Sequence, residues 1–257
     1  MAVLRDREIG YYILYIDYTS SSQYWEAWAA NVVTNQKILI DSAVKEQFNA
    51  PMSGLTTNGK VVVYAISTPN GSQLRKYDLT SGVTTVMDTS SAYMYQSVDL
   101  SGNLLYFLRV VPQGSTAWIW NLDQPAPVQL PVTPSLNVAL NGNYLVWDTA
   151  MELGKYFQLS LYNIVTGKVI SPWGPQCYRP GIALDRPYAT CLGIAETSSP
   201  VYLVRVPSGA SVSFNSADGA AEGQIVNGRV YWLLPINSPP NDPASSNIID
   251  YMNVPLQ

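Results

Sequence analysis

The 257-residue sequence contains no histidine at all. That absence removes the commonest general base, the commonest metal ligand and every nucleophile activated by an imidazole. It also removes the side chain that ordinarily switches charge near neutral pH. Charge is scarce as well: Asp, Glu, Lys and Arg make up 12% of the chain, and the net charge is −4. With so few cations and no cluster of them, the electrostatic footprint of a nucleic-acid binder is missing. No apolar run approaches the ~18 residues of a membrane span. The opening MAVLRDREIG mixes charges where a signal peptide would carry an apolar core.

Cysteine is nearly absent too. Two residues, Cys177 and Cys191, do not make a disulfide framework. If Asp185-Arg186 is a hairpin turn, Cys191 lies opposite residue 180, which leaves Cys177 about 10 Å out of register. Two separate buried thiols are therefore expected. Zinc would have to rely on this pair plus carboxylates, a poor match to known ligand spacings. No GxGxxG or Walker pattern provides a phosphate loop, and no Asp-rich loop suits calcium. The sequence thus predicts no cofactor and no metal.

What is present is a repeat. Six segments superimpose: residues 2–14, 55–66, 98–109, 138–149, 182–193 and 224–235. Each has a short semi-apolar run, a turn pair and a strong apolar run. The turn pairs are Asp6-Arg7, Asn58-Gly59, Ser101-Gly102, Asn141-Gly142, Asp185-Arg186 and Asn227-Gly228. Asn-Gly is the strongest two-residue hairpin signal, because a type I′ turn needs positive φ at both positions. A second hairpin follows in most units, at 25–41, 74–88, 118–131, 159–173 and 202–214. Four antiparallel strands in a unit of about 43 residues describe a propeller blade. The chain accommodates six, at approximately 1–42, 48–88, 92–132, 135–173, 179–215 and 221–257, within a single domain spanning 1–257. The expected fold is an all-β six-bladed propeller, four antiparallel strands per blade. The short tail after Tyr251 leaves the last blade incomplete, with closure by apolar packing between the first and last blades.

The turn-strand pattern, followed by YDLTSG (77–82) and YNIVTGK (162–168), resembles the TolB-like and WD-like propellers. The resemblance covers nearly the whole chain and implies architecture, not ligand. The Trp-Asp dipeptide of WD40 repeats occurs once, at Trp147-Asp148, on a different strand, and the Gly-His element is absent.

Carboxylates are the remaining route to catalysis, as in glycoside hydrolysis. Asp17, Glu26, Asp99, Asp148, Glu152, Glu196 and Asp218 lie on or near connections. Their ordinary roles are turn formation and solvation. No catalytic residue is assigned, and the protein is not expected to be an enzyme. Aromatics on the second strands fit packing between blades. Those flanking the longer connections are candidate recognition anchors: Tyr18, Tyr24, Tyr156, Trp173 and Tyr178, with Arg179 beside them. These connections share one face, opposite the tight turns.

Low charge with abundant Tyr, Ser, Thr and Asn resembles surface-exposed proteins of hyperthermophilic archaea and their viruses. The expectation is a non-catalytic binding or scaffold propeller, a structural or interaction component of a virion or cell surface with a protein partner. A carbohydrate-binding propeller with a glycan ligand is the alternative, and a carboxylate-based glycosidase a further one.

Overall fold

The computed structural model describes residues 2–6, 10–17, 24–31, 33–44, 52–135, 137–152, 156–177, 179–185, 188–192, 200–214, 223–226, 229–234 and 248–253. Every regular element among them is a strand, and every strand pairing is antiparallel. By contacts the chain divides into two compact units, 1–136 and 137–257.

In the first unit, sheet 1 holds β1 (Ala2–Asp6), β2 (Gly10–Asp17), β3 (Tyr24–Asn31) and β4 (Lys37–Val44). Sheet 2 holds β5 (Met52–Thr57), β6 (Val61–Thr68), β7 (Gly71–Asp78) and β8 (Thr84–Ser90). Sheet 3 holds β9 (Met94–Ser101), β10 (Leu104–Val111), β11 (Gly114–Asn121) and the short β12 (Val128–Gln129). In each sheet the spatial order follows the chain order, as in a meander.

The second unit repeats the scheme. Sheet 4 holds β13 (Val138–Asn141), β14 (Tyr144–Glu152), β15 (Tyr156–Asn163) and β16 (Lys168–Ile170). A fifth strand, β17 (Gln176–Cys177), also pairs with β15. Sheet 5 holds β18 (Arg179–Asp185), β19 (Tyr188–Leu192), β20 (Val201–Arg205) and β21 (Ser211–Phe214). Sheet 6 has three strands among the described residues: β22 (Gly223–Val226), β23 (Arg229–Leu234) and β24 (Ile248–Asn253).

The second strands β6 and β10 read as unbroken apolar runs because both of their faces are covered. In β6, Val62, Tyr64 and Ile66 pack on Leu14, Ala27 and Ala29 of sheet 1. The alternate residues Val63 and Ala65 join Leu100, Leu105 and Phe107 of sheet 3. A third core lies between sheets 4 and 5, where Val146, Leu159 and Leu161 meet Ala189, Cys191 and Val204. Outer strands are exposed instead; Val86 of β8 keeps 49% of its surface in solvent.

The turns correct the expected chemistry. Asn141 pairs with Tyr144 and Ser101 with Leu104, so the two-residue loops are Gly142-Asn143 and Gly102-Asn103, one position later than read. Only the glycines have positive φ, +54° and +57°. A type I′ turn would need both residues there, so these follow the glycine-first pattern. Asp185 pairs with Tyr188 and Asp6 with Gly10, so both aspartates close their strands instead of opening a turn pair.

Candidate recognition surface

The third strand of each sheet begins where the connection from the second strand ends. Aligning the registers places Tyr24, Gly71, Gly114 and Tyr156 at the same first position, four residues before Trp28, Arg75, Trp118 and Ser160. In sheets 2 and 3 the connection is a tight turn, and the glycines take φ of +130° and +150°, which no side chain tolerates well. Sheets 1 and 4 have longer connections, which free this position for tyrosine. Tyr24 and Tyr156 therefore mark the same end of their own sheets. Arg179 opens β18, paired with Leu192. Tyr18 and Tyr178 lie outside the described residues.

Trp173 occupies a different kind of place. It is 2% exposed and packs in the core between sheets 4 and 5, with its indole N–H donating to the Pro207 carbonyl at 3.0 Å. Its amide donates to Leu159 on the third strand, as the Leu130 amide does to Ala117 in sheet 3. The matching outer-strand residues in sheets 1 and 2 are Asp41, opposite Ala27, and Asp88, opposite Leu74. This is the position from which an outer strand reaches the next sheet. Tryptophan fills it in sheet 4, so Trp173 is not available as a surface anchor.

The two aspartates make polar joints there. Both sit at a β-bulge, which turns the side chain out of the ordinary alternation. Asp41 accepts from its neighbour's amide, Ser42, through Oδ1 at 2.8 Å. Its Oδ2 accepts from the Tyr64 hydroxyl and Arg75 Nη1, both at 2.7 Å. Gln73 Oε1 takes the remaining Arg75 donors, Nε at 2.9 Å and Nη2 at 2.7 Å. Burial pushes the Tyr64 phenol well above its ordinary range, and the hydrogen bond and charge of Asp41 push it further.

One repeat later, Asp88 accepts from Thr89 through Oδ1 and from Arg109 Nη2 through Oδ2, both at 2.9 Å. This arginine comes from the second strand, whereas Arg75 comes from the third. Its guanidinium carbon lies 3.9 Å from the Trp118 ring centre and 4.7 Å from that of Tyr93, which places the cation between two rings. Tyr95 completes the cluster, edge-on to Tyr93 at 5.4 Å and to Phe107 at 5.7 Å. Its phenol is also raised, first by burial and then by the Asp88 hydrogen bond. Sequence reading missed all four ion-pair residues. The signal was present as Asp-Ser at 41–42 and Asp-Thr at 88–89, each on the fourth strand of its sheet.

Of the carboxylates considered for catalysis, Asp17 and Glu26 stand opposite each other on β2 and β3. Glu26 accepts from the Trp28 indole at 3.1 Å, and Asp99 Oδ1 accepts from the Leu100 amide at 2.8 Å and the Thr56 hydroxyl at 3.4 Å. Asp148 is 1% exposed and accepts from Asn137 at 3.3 Å. Asp17 is exposed. The side chain of Glu152, and Glu196 and Asp218 altogether, lie outside the described residues. Among the described residues, no three Cys, Asp or Glu side chains gather closely enough to hold a metal ion. No described helix is long and apolar enough to cross a membrane.

The cysteines overturn the expectation of separate thiols: Cys177 and Cys191 form a disulfide, with Cα atoms 6.1 Å apart. The register argument placed Cys177 on the strand that pairs with Cys191. In the structure Cys177 belongs to β17 of sheet 4, opposite Phe157, and the bridge runs between sheets.

No family model matches the chain, and no curated protein matches its sequence. Solved structures do resemble it. TolB from Acinetobacter baumannii superposes with a TM-score of 0.59 at 12% identity, over 85% of this chain and 55% of that one. The acylaminoacyl peptidase of Pyrococcus horikoshii gives 0.61 at 12% identity, over 91% of this chain and 42% of that one. The β-propeller domain of the Trilobed protease from Pyrococcus furiosus gives 0.57 at 12% identity, over 91% and 76%. The chain thus spans about half the length of the TolB protein and less than half of the peptidase. At these identities the likeness concerns fold, and the fold is an all-β arrangement of the propeller kind.

Proposed function

We propose that the chain is a six-bladed propeller with an incomplete last blade, acting as a non-catalytic binding or scaffold domain in a virion or on a cell surface. Six antiparallel sheets among the described residues, each beginning with a hairpin of consecutive strands, support the blade count. The solved propeller of the Trilobed protease is described as having an open velcro topology.

One observation carries the functional reading. Among the described residues, the charged side chains of Asp41, Asp88, Arg75 and Arg109 are committed to joints from sheet to sheet. Tyr24 and Tyr156 stand instead where the longer connections enter the third strands, at the end suited to contact a partner. A histidine-free, weakly charged surface fits an assembly component better than a catalyst.

A second reading has one specific support. The chain matches 42% of the acylaminoacyl peptidase, so it corresponds to part of a longer hydrolase. On that reading it is an accessory domain for catalytic machinery carried elsewhere.

The test is to isolate the protein from its source under mild conditions, determine the mass of the assembly that contains it, and identify its companions. A particle, filament or surface layer supports the scaffold role. A hydrolase in stoichiometric amount favours the accessory reading. A free protein that binds an immobilised glycan would replace both with the carbohydrate-binding alternative.

A further inference from the structure

Residues 171–177 leave sheet 4 at its outer strand, cross the wedge towards sheet 5 and return to pair with β15. Sheet 4 holds this strap by the Trp173 amide on the Leu159 carbonyl at 2.8 Å and by the β17 pairing of Gln176 and Cys177 with Gln158 and Phe157. Sheet 5 holds it at two points. One is non-covalent, the Trp173 indole on Pro207 in the β20–β21 turn. The other is the bond from Cys177 to Cys191, next to the last residue of β19. The close approach is built in: a side chain at Gly174 would meet Val204, and one at Gly209 would meet the Trp173 ring. Cys177 is 1% exposed and Cys191 is fully buried, so a reductant reaches neither sulfur while the strap is seated.

We infer that the Cys177–Cys191 bridge is a redox latch that fixes the strap between sheets 4 and 5. The latch closes by thiol–disulfide exchange. The two thiols give up two protons and two electrons, and a small-molecule disulfide such as oxidised glutathione accepts both and leaves as two thiols. In oxidising surroundings the strap is then tied to sheet 5 covalently. In reducing surroundings only Trp173 and the packing around it remain. Residues 178 and 179, candidates for the recognition end, follow immediately after the latch, so its state sets how firmly that end of sheet 5 is anchored. This holds whichever partner the protein has.

The experiment equilibrates the folded full-length chain in glutathione buffers of increasing reducing strength, then quenches with acid and alkylates under denaturing conditions. The expected result is no alkyl group in the oxidising buffers and two in strongly reducing ones. Two free thiols in the most oxidising buffer would overturn the inference. Amide exchange supplies the second arm. Closing the latch should slow exchange of the Trp173, Gly174, Gln176 and Cys177 amides by about tenfold, as expected when a local opening loses its main route. The β10 amides serve as the internal reference and should not change. Equal protection of the strap in both states would reduce the bridge to a bystander. Cys191→Ser should exchange like the reduced protein in every buffer. If that variant does not fold, the oxidised and reduced native chains still decide the question.

Discussion

Arg109 shows how one side chain is defined from several directions. Its charge is neutralised by Asp88, its faces are covered by Trp118 and Tyr93, and its Nε is buried without an acceptor. Lysine offers a point charge without a planar face, so Arg109→Lys keeps the charge and loses the stack. Arg109→Ala should lower the unfolding free energy by about 1–3 kcal/mol, the range of a part-buried ion pair plus a cation–π contact. Arg109→Lys should recover less than half of that in urea titrations. Pairing Arg109→Ala with Trp118→Ala should give a coupling of at least about 0.5 kcal/mol, because the residues share one interaction. The two turn glycines offer a sharper contrast. Gly71 and Gly114 hold the same position and both have positive φ, but a Cβ on Gly71 would collide with the Ser90 carbonyl, while one on Gly114 meets nothing within 4 Å. Gly114→Ala should therefore cost about 1 kcal/mol of backbone strain. Gly71→Ala should cost at least ~2 kcal/mol more, because the main chain of β8 must shift. Equal losses in the two variants would mean that the clash relaxes freely.

At the level of elements, the third-to-fourth strand turns repeat one design with different residues. Asn31, Asp78 and Asn163 each close a turn in which the side-chain oxygen accepts from the amides two and three residues ahead, at 2.8–3.0 Å. The fifth residue then takes positive φ: Asn35, Gly82 and Gly167. The Ser81 and Thr80 amides, in that order, hold the Asp78 carboxyl below its ordinary range. A depressed folded-state pKa adds stability above the unfolded value, and this is lost as pH falls through the folded one. Asp78→Asn should keep the turn, as the two asparagines do, and flatten the acid limb of a thermal-midpoint profile below pH 4. Asp78→Ala should lower the midpoint at every pH. These turns, together with the glycine-marked hairpins, are the part of the fold that the sequence displayed. Positive φ and side-chain-to-backbone bonds are local, so they leave a local trace in residue type. The cross-sheet contacts left none. Asp41 meets Arg75 only because a bulge turns it outward, and Cys177 meets Cys191 only because β17 returns to sheet 4 instead of entering sheet 5. The same reason explains Trp173: it looked like a loop residue beside Pro172 and Gly174, and only the packed neighbour makes it core. Of the candidate site, the legible part was the placement of Tyr24 and Tyr156 at strand starts, because connection length alone decides it.

For the molecule as a whole, the lack of histidine makes the neutral range uneventful and moves the informative titration to alkali. Tyr64, Tyr95 and Tyr106 are buried on neighbouring sheets of the first unit, and burial raises all three phenols. Asp41, Asp88 and Asp99 respectively push them further. In the unfolded chain each ionises near 10.0. Above that pH the unfolded state has released protons that the folded state still holds, so stability falls as pH rises. Below it the contribution is fully present. Each such tyrosine steepens the fall by up to about 1.4 kcal/mol per pH unit. The thermal midpoint should thus stay nearly level from pH 7 to 9 and drop steeply above 10. Tyr64→Phe should make that drop shallower, while also weakening the neutral-pH midpoint through loss of the bond to Asp41. Urea titrations of the native and variant proteins at pH 8 and pH 11 separate the two effects. A variant with the same alkaline slope as the native chain would show that Tyr64 ionises in the folded state, and that the joint between sheets 1 and 2 opens before the molecule unfolds.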